Sequence, residues 1–147
     1  MDSLIYQDRP HYDVWFKVIM AFPLLFIVVG VSFLVDGEPQ AAVGMFVTAA
    51  LMAAIYWAVF PRRYCILDGK IKIALGGPLV FNIPFDSIEK AGRPEGMSIG
   101  INFATTFSSK HAIQIVRKGK LDVNITPGNR ELFLENLDKA LKDWKKI

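Results

Sequence analysis

Two apolar runs, VWFKVIMAFPLLFIVVGVSFLV (Val14–Val35) and AAVGMFVTAALMAAIYWAVF (41–60), dominate the first 60 residues, with only DGEPQ between them. A bilayer core takes about 20 helical residues at ~1.5 Å each, so either run is long enough to cross one. Neither carries the polar face that a helical hairpin in water would need. The pattern predicts a two-helix transmembrane hairpin over residues 14–60, after a polar segment 1–13. That segment is too acidic for a signal-peptide n-region, so the first helix is expected to be retained. Lys17 lies close enough to the helix start to reach the interface with its amine, and Pro23 allows a mild kink.

From Arg62 onward, continuous apolarity gives way to alternation, the signature of half-buried strands. Tyr64 and Ile66 alternate with Cys65 and Leu67 before the hairpin turn Asp68-Gly69. Ile71, Ile73 and Leu75 share the next face, and after Gly76 and Gly77 come Leu79, Phe81, Ile83 and Phe85. A short strand is expected over 87–91, then alternation at Ile99, Ile101, Phe103, Thr105 and Phe107. Ile113 and Ile115, then Leu121, Val123 and Ile125, mark the last two strands. Residues 61–147 are thus expected to form a mainly-β domain: a seven-stranded antiparallel, partly open barrel capped by a C-terminal helix over 127–145. Thr126 is its expected N-cap, with Pro127 at the first helical position. Phe133, Leu137, Ala140, Leu141 and Trp144 fall on one face of that helix. Covering the barrel is the first expectation for this face, and lying on a membrane surface is the alternative.

Charge adds a direction. All but two of the 17 Lys and Arg, and nine of the 14 acids, lie in residues 61–147, which makes that segment net +6. The short connection between the apolar runs has two acids and no basic residue, whereas Arg9, Lys17, Arg62, Arg63, Lys70 and Lys72 flank the other ends. Positive charge near membrane ends stays on the cytoplasmic side, so both termini are expected there, in a multi-pass protein of the cell membrane. Arg62, Arg63, Lys70 and Lys72 are the candidate contacts to the membrane surface, with anionic lipid as the implied partner. No run of interleaved Arg and aromatics points to nucleic acid.

Small residues of the second helix, Gly44, Ala50, Ala54 and Ala58, form a candidate packing face for the first helix or for another chain, including a second copy. The single cysteine, Cys65, excludes an intrachain disulfide and reads as a small buried apolar residue. His11 and His111, the only two histidines, lack metal-ligand spacing, and His111 is expected to face solvent or cap a turn. No nucleophile, base and carboxylate fall into a catalytic pattern, and no glycine-rich loop matches a phosphate cradle, so neither enzyme activity nor a cofactor is expected. The polar, β-prone stretch 102–109 could offer an edge strand to a partner.

The chain resembles the bacterial pleckstrin-homology-like (PH-like) family of small membrane proteins, also called DUF304. The matching stretches are Tyr64-Cys65-Ile66-Leu67-Asp68-Gly69-Lys70-Ile71 after the apolar pair, Ile83-Pro84-Phe85-Asp86-Ser87-Ile88, and Ile125-Thr126-Pro127 leading to Phe133, Leu134 and Leu137. The resemblance implies a non-catalytic binding or scaffolding module at the cytoplasmic membrane surface, contacting protein partners or lipid. An accessory subunit of a larger membrane complex, docking through the hairpin, is the alternative. Eukaryotic phosphoinositide-binding members carry a long basic loop between their first two strands, where the tight Asp68-Gly69 turn is expected here.

Overall fold

A computed structural model describes residues 2–96, 99–106 and 109–147. The first element is β1 (Leu4–Asp8), followed by α1 (Val14–Met20), α2 (Phe22–Val35) and α3 (Pro39–Val59). Strands β2 (Arg63–Leu67), β3 (Lys70–Ala74), β4 (Val80–Pro84), β5 (Ile88–Gly92), β6 (Gly100–Asn102), β7 (Ile113–Arg117) and β8 (Asp122–Ile125) come next, and α4 (Arg130–Lys145) ends the chain.

The two apolar spans, Val14–Val35 and Pro39–Val59, are 22 and 21 residues long and apolar enough to cross a membrane. A core helix of a water-soluble protein would be mostly covered, yet only 6% of an apolar 18-residue window of the first span and 11% of one in the second are buried inside the protein. The first span is interrupted at Ala21, two residues before Pro23, where the missing amide leaves the preceding turn free to open. Gly37, at φ 79°, makes the reversal, and Pro39 starts α3 at a position where its missing N–H costs nothing.

The helices meet along a seam spaced three and four residues apart. Pro23 and Gly30 are buried on α2, with Phe26 and Phe33 half-buried between and beyond them; Ala42 and Ala49 are buried on α3, with Met45, Met52 and Tyr56 half-buried. A Cβ on Gly30 would lie 2.6 Å from the Phe46 ring, so glycine is what lets this aromatic into the seam. The expected packing face is therefore displaced: Gly44, Ala50 and Ala54 are exposed and Ala58 is half-buried. Ala42 and Ala49, seven residues apart, occupy the covered side instead.

The strands form two four-stranded sheets, ordered β1-β2-β3-β4 and β5-β7-β8-β6. This differs from the expected seven-stranded antiparallel, partly open barrel in two respects. Among the described residues an eighth strand from outside residues 61–147 joins the sheets, and β6 runs parallel to β8. The extra strand is β1, antiparallel to β2 in the segment read as merely polar. Of its five residues only Tyr6 packs on the core, edge-on to Phe133 at 6.0 Å between centroids, so no alternation announces it. Consequently the two apolar spans are an insertion between neighbouring strands of one sheet. The strand expected around 99–107 is cut short because the Asn102 side chain accepts from Ala104 N at 2.8 Å, turning the chain out of the ladder. Phe107 lies outside the described residues.

Alternation correctly identified most of the core. Tyr64, Ile66, Ile71, Ile73, Ile83, Phe85, Ile113, Ile115, Val123 and Ile125 are buried in one cluster with Phe133, Leu137 and Ala140 of α4. Leu121, by contrast, is 54% exposed and Ile99 91%. Because the apolar face of α4 is spent on this core, with Trp144 edge-on to Phe85, it is not free to lie on a membrane. The helix begins at Arg130 rather than 127, capped by the Asn129 side chain, which accepts from Leu132 N at 3.1 Å.

Candidate functional site

The foot of the hairpin, where two chain crossings enter the β-domain, gathers hydrogen bonds between residues far apart in sequence. On the entry side, Asp13 caps α1 by accepting from Phe16 N at 2.7 Å. The Tyr12 hydroxyl donates to Pro61 O on the exit side, so entry and exit are pinned together. Aromatic rings pack between them: Phe16 lies 5.6 Å from Phe60, and Tyr56 stacks on Phe60 at 5.0 Å. Desolvation at this joint raises the pKa of Tyr12, with the nearby Arg62 charge acting the other way.

Beneath the rings sits a buried polar node. Thr126, the expected helix cap, is instead fully buried, accepting from Thr105 N at 2.9 Å and lying 2.9 Å from the Thr105 hydroxyl. The Thr105 hydroxyl donates to His11 O, and His11 N donates to Thr126 O at 2.8 Å. Tyr64 donates to Phe103 O at 2.7 Å; burial holds its hydroxyl far above the ordinary tyrosine range. Gly128 N donates to Arg9 O and Asn129 N to Asp8 Oδ2, both at 2.8 Å, extending the same joint towards α4. Four sequence-distant segments thus satisfy one another's buried polar groups, which makes the connection specific as well as short.

The expected turn at Gly76 and Gly77 fits against the end of α3. A side chain on Gly76 would overlap the Trp57 carbonyl, and one on Gly77 would meet the Trp57 ring at 2.6 Å. The Arg62 guanidinium lies over the same ring, 5.4 Å from the centroid.

The four candidate surface cations separate. Arg62 and Arg63 stand exposed at the foot. Lys72 is half-buried on the outer face of the first sheet, opposite Cys65. Lys70 lies at the far end of the β2–β3 hairpin and pairs with Asp2 at 2.6 Å, its charge already answered. That contact lowers the pKa of Asp2 through the Lys70 hydrogen bond and then its charge. Arg9, which follows β1 and entered the sequence reading only as a flanking charge, and Tyr12 join the site.

Cys65 is buried, with its Sγ 3.9 Å from Gln7 Oε1; burial raises its pKa against the lowering charges of Lys72 and Arg63, so it is no activated thiolate. The histidines, far apart in sequence, pack with ring centroids 4.2 Å apart and planes tilted by 31°, His111 being half-buried. Burial, then the charges of His11, Arg130 and Lys110, lowers the His111 pKa. Among the described residues, no three His, Cys, Asp or Glu side chains gather as metal ligands.

No protein-family profile, no curated protein and no solved structure matches this chain.

Proposed function

We propose that this protein is a non-catalytic integral membrane protein that presents a PH-like module at the cytoplasmic membrane surface, where it contacts anionic lipid or a protein partner. The observation that carries this reading is the position of the hairpin. Its uncovered apolar helices are inserted between two paired strands, β1 and β2, and pinned at both crossings. A module so attached has little freedom to swing and works at the surface it is fixed to. Two sheets followed by one helix support the PH-like reading, with the hairpin standing where phosphoinositide-binding members carry their first loop. The basic foot at Arg9, Arg62 and Arg63 supports a cytoplasmic, lipid-facing orientation. Protease added to intact cells is expected to leave the C-terminal domain whole and, added to inverted vesicles, to degrade it; degradation in intact cells would refute the orientation.

A second reading, an accessory subunit docking through the hairpin, draws on the exposure of Gly44, Ala50 and Ala54, small residues on α3 outside the seam. Purification in mild detergent separates the two, since a chain that runs without any other polypeptide contradicts the subunit reading.

A further inference from the structure

Alongside the foot, the hairpin and β2 enclose an open groove of about 550 Å³. Of its lining, Arg9, Arg62 and Arg63 lie outside the apolar helices, whereas Met20 and Tyr56 lie within them and Phe60 follows directly. No acidic residue lines it. None of the three arginines forms an ion pair among the described residues, although every ion pair found there occupies some other cation. The Arg62 guanidinium also lies over the Trp57 ring, 5.4 Å from its centroid, and the residue is exposed. Met20 lies six residues beyond Val14, about 9 Å along the axis at the usual helical rise, so the apolar lining reaches the depth that the apolar spans would occupy in a bilayer.

We propose that this groove binds one anionic glycerophospholipid, with its phosphodiester on Arg9, Arg62 and Arg63 and an acyl chain along Met20, Tyr56 and Phe60. The inference rests on the membrane-spanning reading of the hairpin and adds to it a defined ligand class and site. Three guanidinium groups without an ion pair among the described residues offer fork-shaped donors that match phosphate oxygens, and a groove lined by cations and no acid is complementary to an anion. The combination of charged and apolar lining in one groove matches the combination within a single lipid molecule. A soluble phosphate would use only one half of it. Lys70, paired with Asp2 at the far end of the sheet, takes no part.

The test uses the full chain in phosphatidylcholine nanodiscs carrying trace spin-labelled phosphatidylglycerol or spin-labelled phosphatidylcholine, with the motionally restricted fraction read by electron paramagnetic resonance. The protein is expected to select phosphatidylglycerol, and a combined Arg9→Gln, Arg62→Gln, Arg63→Gln variant is expected to lose that selection by about tenfold. Removing the same charge from the end of α4, with Lys142→Gln, Lys145→Gln and Lys146→Gln, is expected to leave selection unchanged. No selection by the unaltered protein, or equal loss in both variants, overturns the site. Displacement of the labelled lipid by an equal concentration of glycerol phosphate overturns the acyl half of it. A chain that fails to enter the discs at all contradicts the membrane-spanning reading itself, whereas one that enters without selecting lipid contradicts only the groove.

Discussion

Ile66 of β2 and Leu51 of α3 are both aliphatic and both lie mid-element, yet the first is fully buried and the second 60% exposed. The same contrast runs through the two regions they belong to. In the β-domain, the apolar side chains of Tyr64, Ile66, Ile71, Ile73, Ile83, Ile113, Ile115, Val123 and Ile125 point inward to one cluster, and most charged side chains point outward. In the hairpin, the large side chains of Leu24, Leu25, Val28, Val47, Leu51 and Ile55 point outward, and the covered seam holds Pro23, Gly30, Ala42 and Ala49. The proposed membrane placement of the hairpin accounts for the difference. Water drives large apolar groups together, whereas lipid gives no such drive between helices, so close backbone approach through small residues decides the packing.

Substitutions can break this comparison in order of expected size. Phe133→Ala, which empties the centre of the β-domain beside Tyr6 and Tyr64, should cost about 3–5 kcal/mol in denaturant unfolding of that domain while hairpin helicity by circular dichroism is retained. Gly30→Leu should drive Phe46 out of the seam and destabilise the helix pair by roughly 1–3 kcal/mol in an SDS titration, whereas Leu51→Ile on the outer face leaves the midpoint unchanged. Thr126→Val, nearly isosteric, removes the acceptor of a buried Thr105 N–H and should cost about 1–3 kcal/mol by denaturant unfolding. Asn129→Ala, loss of a helix cap, should cost about 1 kcal/mol on the same assay.

The smallest expected effect concerns pH. The folded chain holds the His111 pKa below its ordinary value, through burial and the charges of His11, Arg130 and Lys110. As pH falls through about 6.5, the unfolded chain takes up this proton first, so stability declines until the folded ring also titrates. Between pH 7 and 5 the unaltered protein should therefore lose more thermal stability than His111→Asn. An equal loss in both would remove the histidine contact from the account.

These contrasts also explain what was legible in the sequence. Continuous apolarity marks the hairpin, and strict alternation marks Ile71 with Ile73, Ile113 with Ile115, and Val123 with Ile125, because each pattern directly reflects the solvent on each side of the element. Strand β1 was not legible. Its partner lies beyond the whole hairpin, and one core residue in five makes no period. The end of β6 turns on a single side chain, Asn102, and Thr126 has a cap-like sequence context but is claimed by a tertiary node. Small residues on α3 were legible as a class, yet the stripe at Gly44, Ala50 and Ala54 does not face α2, since helix rotation is set by the partner's bulk at Phe26, Phe33 and the space at Gly30. Of the foot, Arg9, Arg62 and Arg63 were visible from charge, whereas Tyr12 reaches it only through a pairing with Pro61, 49 positions apart.

The central claim, that the hairpin crosses the membrane and fixes the β-domain to its cytoplasmic face, is tested most directly by site-specific labelling. In a Cys65→Ala background, Glu38→Cys places a thiol in the exposed connection between α2 and α3, and Lys145→Cys places one at the end of α4. A membrane-impermeant maleimide applied to intact cells should label the Glu38→Cys variant and spare Lys145→Cys, and inverted vesicles should reverse the pattern. Equal labelling of both positions from the same side of the membrane would contradict the claim.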